Sequence, residues 1–296
     1  MVDPWVYTKA SETGPTIWRR FGSLMDEWQD GMQPPVDPKP EPDDDEPGLT
    51  FSEDFVDFQI LDGQDKSQVG GWFDSFQQWG VRTLDDNGDL GVKAYEPPFT
   101  HQRALRPDGS VGGLFLRAGW DDDKGVGRAG MISTERLHMQ VGGVWEVDLQ
   151  VNKCPPGYHL ACWLVPSDGS WPPELDLFET SGKKELGGIG TGYVNDHGFK
   201  GAPEWTKFDY EPGKMYTFRI AIFPERVTWS GKGPGETFFS TIRDRLIPVR
   251  KPLYFIASWE VSGKTAGPVT DPDATAEAII GGVRAYRFPN RGQVVD

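Results

Sequence analysis

The chain has 296 residues, and its 45 acidic against 30 basic side chains give a net charge of -15. With no basic block and no Arg/Lys-aromatic stripe there is nothing to neutralise phosphates, so nucleic acid is not an expected ligand. No run approaches the ~20 apolar residues that a membrane-crossing helix needs. The expectation is a soluble protein poor in long helices, because 37 Gly and 25 Pro break them.

Met1-Val2-Asp3-Pro4-Trp5 lacks the basic stretch and apolar core of a signal peptide. Further on, Ile17, Trp18, Phe21, Leu24, Met25 and Trp28 recur at steps of one, three and four. That spacing predicts one apolar face of a helix, with Pro15 in its first turn and Gly31, Pro34 and Pro35 ending it. So short a helix is marginal alone in water and needs a surface to dock on, whether its own domain or a larger assembly. Residues 34–48 hold six prolines and six acids, which predicts an extended, self-repelling linker. The chain thus divides into a helical segment 1–33, a linker 34–50 and a main domain 51–296.

From Phe51 onward short apolar runs alternate with Gly, Asn-Gly, Asp-Gly and Pro breaks. Such a pattern predicts many short strands and an all-β sandwich of two antiparallel sheets, with a groove on one concave face. Asp121-Asp122-Asp123 reads as a solvated charge run. Cys154 and Cys162 flank a predicted turn. They either pair across a hairpin or, the favoured reading, remain two buried thiols.

The densest chemistry lies in Trp171-Pro172-Pro173-Glu174-Leu175-Asp176-Leu177-Phe178-Glu179. In a regular strand Glu174 and Asp176 share a face and Glu179 points away. One extra residue, a β-bulge near Phe178, would return Glu179 to that face. Carboxylates gathered on one face repel each other and are costly to bury unless they serve a reaction. A pair of carboxyls on one face is the equipment of a retaining glycosidase, one acting as nucleophile and one as acid/base. Trp163 and Trp171 could offer flat faces to a sugar ring.

The order of motifs resembles glycoside hydrolase family 16, the laminarinase-like β-jelly-roll enzymes, over roughly residues 51–289. The resemblance rests on Phe51-Ser52-Glu53-Asp54-Phe55, Gly80-Val81-Arg82-Thr83-Leu84, Asn87-Gly88-Asp89, Val144-Trp145-Glu146 and Ala161-Cys162-Trp163-Leu164-Val165-Pro166. Above all, Glu174-Leu175-Asp176-Leu177-Phe178-Glu179 is similar to the family's bulged acidic signature. The resemblance implies Glu174 as nucleophile, Asp176 as the carboxylate between, and Glu179 as acid/base. It also implies substrate contacts from Trp163 and Trp171 and, as weaker carry-overs, from Asn87 and Glu146, each of which reads equally as a structural hydrogen-bonder. No cofactor is implied beyond a structural calcium found in some relatives.

The chain departs from the family pattern in places. The family often has a histidine on the strand after the acidic motif, where Thr191-Gly192-Tyr193 stands; His197 could serve instead, but Asn195-Asp196-His197-Gly198 reads as a surface loop. Met215-Tyr216, Phe223 and Trp229-Ser230-Gly231-Lys232-Gly233 also differ. The resemblance still implies an endo-β-glycanase, hydrolytic or transglycosylating, acting on a β-glucan or a β-linked bacterial exopolysaccharide. A catalytically weak carbohydrate-binding or structural decoration protein is the alternative. An enzyme without a signal peptide that acts on extracellular polysaccharide is expected to be made in the cytoplasm and to work outside the cell. Residues 1–33 would then tether it to a larger particle such as a virus tail or capsid.

Overall fold

The computed structural model describes residues 48–288, except 57–59, 62–71, 74–91, 94–100, 107–108, 124, 136, 200–204 and 264. The expected helix over 1–33, most of the linker, and Asn87 lie outside the described residues. The main domain begins earlier than its sequence suggests. Strand β1 (Gly48–Glu53) starts inside the segment assigned to the linker, because Leu49 and Phe51 pair with the last strand of the chain.

Among the described residues, eighteen strands form two packed sheets with almost no helix. The ten-stranded sheet holds β1, β4 (Val92–Lys93), β5 (His101–Leu105), β6 (Val111–Asp121), β7 (Val126–Ala129), β9 (Gly143–Lys153), β14 (Met215–Phe223), β15 (Arg226–Lys232), β16 (Ser240–Arg245) and β18 (Ala276–Arg287). The eight-stranded sheet runs in the order β13 (Thr206–Asp209), β12 (Thr191–His197), β11 (Glu174–Ser181), β10 (Tyr158–Pro166), β17 (Leu253–Val261), β8 (Met131–Ser133), β3 (Trp72–Phe73) and β2 (Ile60–Leu61). Pairing is antiparallel except for the two-residue contacts β2–β3 and β4–β7. The fold is the all-β sandwich of two sheets that the strand pattern predicts, and the jelly roll that the resemblance implies.

Alternation explains which faces meet. Along β9, Trp145, Val147, Leu149 and Val151 enter the core between the sheets, while Glu146, Asp148, Gln150 and Asn152 face outward. On β10, Leu160, Cys162 and Leu164 point inward and share the core with Leu175, Leu177 and Phe178 of the neighbouring β11. Each fully buried side chain of this size contributes about 1.5–3 kcal/mol of apolar burial, which outweighs the weak strand propensity of the Gly-rich turns. Indole donors tie the layers together. Trp259 on β17 donates to the Leu116 carbonyl on β6 at 2.9 Å, and Trp229 on β15 donates to the Asp176 carbonyl on β11 at 2.9 Å. Behind the groove, Asp196 of β12 is clasped by Arg243 and Arg245 of β16, a buried charge cluster bridging the two sheets.

Both cysteines are free and buried. Cys154 donates to the Tyr158 carbonyl, and Cys162 faces the core midway along β10. Burial pushes the Cys154 thiol up to about 12 and that of Cys162 higher still. No hairpin disulfide joins them, and both thiols lie within the apolar core.

Candidate active site

The acidic motif occupies β11, between β10 and β12. Opposite β10, Cys162 pairs with Phe178 and Trp163 with Asp176, so Leu177 is the extra residue. Opposite β12 the same slip falls between Asp176–Asn195 and Glu179–Tyr193. Leu177 and Phe178 are therefore both buried against the core, and Glu179 returns to the side of Glu174 and Asp176. The bulge inferred from spacing is present where the acids require it.

The carboxylates sit in different surroundings. Glu174 is partly exposed; its Oε2 accepts from the Trp171 indole at 2.7 Å, and its Oε1 lies 3.5 Å from His197 Nε2. Asp176 is buried, with Oδ2 3.4 Å from the same His197 nitrogen. Glu179 is buried too; its Oε1 lies 3.1 Å from His159 Nε2, while Oε2 has no hydrogen-bond partner among the described residues.

Burial first, then the charges of Glu179, Glu174 and Asp196, hold the Asp176 carboxyl well above the usual carboxylate range, and Arg243 offsets this only in part. Asn195 Nδ2 lies 2.9 Å from His197 Nε2. The same His197 nitrogen therefore faces an amide and two carboxyl groups at once. The raised Asp176 carboxyl favours its protonated form beside Glu174 and Glu179. Glu174, Asp176 and His197 place one ligand atom each within 4.8 Å of one another, compact enough to hold a cation.

A carboxyl whose folded value is raised costs the folded chain stability wherever the unfolded chain would ionise it and the folded chain does not. The folded state holds a proton that the unfolded chain releases above pH ~4, so stability is lost as pH rises through the raised value. Asp176→Asn removes that penalty. Its melting temperature is expected to match the wild type near pH 3 and to exceed it by several degrees at pH 7, while turnover falls. Calorimetry across that range checks this, and an equal or lower Tm at pH 7 would contradict the protonation assigned to Asp176.

The other residues singled out by sequence fall in different places. Trp163 lies beside Asp176 on β10, donates to Ser258 Oγ at 3.2 Å and packs with Met131, Val165, Tyr254 and Ile256, a buried apolar layer on the groove side of the eight-stranded sheet. Trp171 is 54% exposed, with its ring 6.4 Å from that of His197. His197 requires a correction: it does not sit in a surface loop but ends β12, paired with Glu174. The turn implied by Asn-Asp-His-Gly begins one residue later, at Gly198 with φ +86°.

Glu146 also requires a correction. It lies on β9 in the other sheet, on the outer face, where Arg219 Nε donates to its Oε1 at 2.6 Å and Arg284 Nε to its Oε2 at 3.1 Å. Its neighbours are cations rather than the groove, and it does not join the site. Two residues that sequence reasoning passed over do join it. His159 touches Glu179, and Tyr193 sits opposite Glu179 on β12 with its ring edge-on to the exposed Trp205, centroids 5.2 Å apart. A polar residue in the alternating groove-side positions of β10 (159, 161, 163) was the available signal for His159.

No protein-family model matches the chain. It is 25% identical over 260 residues, 83% of its length, to an endo-1,3-1,4-beta-glycanase (ExsH) of Rhizobium meliloti. It is 24% identical over 249 residues to a second such enzyme (EglC) from the same organism. The chain spans about half the length of these curated relatives, 53% and 51%. Among solved structures it is similar to the catalytic domain of an endo-1,3-beta-glucanase (laminarinase) from Thermotoga petrophila, with a TM-score of 0.60 at 19% identity, covering 82% of this chain and 99% of that one. It is also similar to SCLam, a non-specific endo-beta-1,3(4)-glucanase from family GH16, with a TM-score of 0.56 at 17% identity, covering 85% of this chain and 94% of that one.

Proposed function

Starting from a jelly roll of the laminarinase type in glycoside hydrolase family 16, we propose that this chain is a retaining endo-β-glycanase. Its substrate is a β-1,3- or mixed β-1,3-1,4-glucan, or a bacterial exopolysaccharide with such linkages. The observation that carries the reading is the bulged β11, which sets Glu174, Asp176 and Glu179 on one face in three different environments. Separated environments are what acid, base and nucleophile roles need.

Glu174, oriented by the Trp171 indole, attacks the anomeric carbon, and the bond to the leaving oxygen breaks as Glu179 delivers its proton. Water then attacks the glycosyl-enzyme ester, returns a proton to Glu179 and frees Glu174. Protonated Asp176 spares the nucleophile a second adjacent negative charge. The names of the two rhizobial relatives support the substrate class, and the exposed Trp171 supports a sugar-stacking role. The apolar periodicity of residues 17–28 and the proline linker support the further reading of a particle-borne depolymerase that acts outside the cell.

Hydrolysis of laminarin, mixed-linkage glucan and exopolysaccharide, followed by reducing-end release and by NMR of the first product formed, tests the proposal. The β-anomer is expected first. An α-anomer would overturn retention, and binding without cleavage would favour the decoration protein.

A further inference from the structure

We propose that His159 is a positioning residue that fixes which oxygen of Glu179 moves the proton. The inference rests on the acid/base role proposed for Glu179 and extends it to a side chain on the neighbouring strand. His159 opens the groove-side row of β10, two residues from Ala161, which pairs with Glu179. Its Nε2 lies 3.1 Å from Glu179 Oε1, and both side chains are about nine-tenths buried.

The tautomer follows from what surrounds the ring. Nδ1 is buried with no hydrogen-bond partner among the described residues. Glu260, across from His159 on β17, turns its Oε1 to the backbone N–H groups of Thr265 and Ala266. Ser181, its β11 neighbour, accepts from the Lys183 N–H. A buried bare lone pair costs less than a buried orphan N–H, so the proton belongs on Nε2. His159 therefore donates to Glu179 Oε1 whether Glu179 is ionised or protonated, because a carboxylic acid with its proton on Oε2 still presents Oε1 as an acceptor.

One oxygen is thereby committed, and the other, buried and without a hydrogen-bond partner among the described residues, is left to carry the proton to a seated sugar. In the first step the Oε2 proton passes to the glycosidic oxygen as Glu174 bonds to the anomeric carbon. In the second, the attacking water gives its proton back to Oε2 as the Glu174 ester breaks. His159 neither gains nor loses a proton, and its contribution is orientation.

Three variants test this, read by activity and by carboxyl titration. His159→Phe keeps a planar ring and removes the donor; His159→Gln keeps an N–H at a similar reach; Glu179→Gln assigns the Glu179 carboxyl signal in ¹³C NMR. In His159→Phe the Glu179 midpoint is expected to rise by about one unit, since a hydrogen bond that favours the charged form is lost. Its kcat on laminarin should fall roughly 100-fold with KM little changed. Formation of the glycosyl-enzyme from a dinitrophenyl glycoside, whose leaving group needs no proton, should fall far less. His159→Gln should match the wild type in both readouts. An unchanged midpoint in His159→Phe, equal losses on both substrates, or an impaired but folded His159→Gln would each overturn the assignment. If His159→Phe does not fold, His159→Gln alone decides. A wild type that cleaves nothing would defeat the enzyme reading, and the titration would still decide the His159 contact.

Discussion

Glu174→Gln is expected to lower turnover by roughly 10⁴-fold or more, the scale seen when a nucleophile is removed from a catalytic set that acts as a unit. Gln is isosteric and can still meet the Trp171 indole through its carbonyl oxygen, so the groove should keep its shape and its grip on the glucan. Binding by calorimetry should remain within about a few-fold of the wild type, while reducing ends cease to appear. Removing one negative charge next to Asp176 should also lower that carboxyl toward its ordinary range. A variant that retained even a tenth of wild-type turnover would place the nucleophile elsewhere. Equal loss of binding and turnover would instead mark Glu174 as a sugar-holding residue.

The second large effect lies far from the groove. Glu146→Gln should cost roughly 3–5 kcal/mol of stability, because Arg219, 1% exposed, keeps its charge while losing the carboxylate that compensates it. Arg284 retains Asp148, which accepts both of its terminal nitrogens at 2.7 and 2.9 Å, so the damage centres on Arg219. The Phe239 ring over the Arg219 guanidinium softens the loss without replacing an anion. Denaturant melts should show a lower midpoint with an unchanged slope. The kcat of the folded fraction should stay at the wild-type value. A drop in kcat with unaltered stability would return Glu146 to the groove and refute its place on the outer face.

How far the sequence reaches is clear from these particular residues. The bulge was legible because a five-residue gap between acids is incompatible with a plain alternating strand, and the burial of both Leu177 and Phe178 is its local signature. The sandwich was legible for a similar reason, since the period-two pattern of β9 and β10 is written in neighbouring residues. Glu146 was carried over from the resemblance alone, and strand alternation could not check it, since alternation says that a residue leaves the core without saying into which of two outer faces. His197 was misread because its loop-like company, Asn195, Asp196 and Gly198, serves other ends: an amide aimed at the histidine, a carboxylate turned inward to Arg243 and Arg245, and a turn that starts only after the strand. His159 went unseen because its partner is twenty residues away and comes within reach only when β10 and β11 pair.

The two thiols carry a consequence for where such a fold can work. Neither cysteine is cross-linked, and with both held protonated far above neutral pH they are poor targets for oxidants, which attack the thiolate. The core closes around Cys162 as it would around any small apolar side chain. Folding therefore needs no oxidase or isomerase, and the finished sandwich gains nothing from glutathione and loses nothing to air. Reducing agent should leave its melting curve where it is. A jelly roll built this way can be assembled in a reducing compartment and put to use in an oxidising one without any change in its covalent structure.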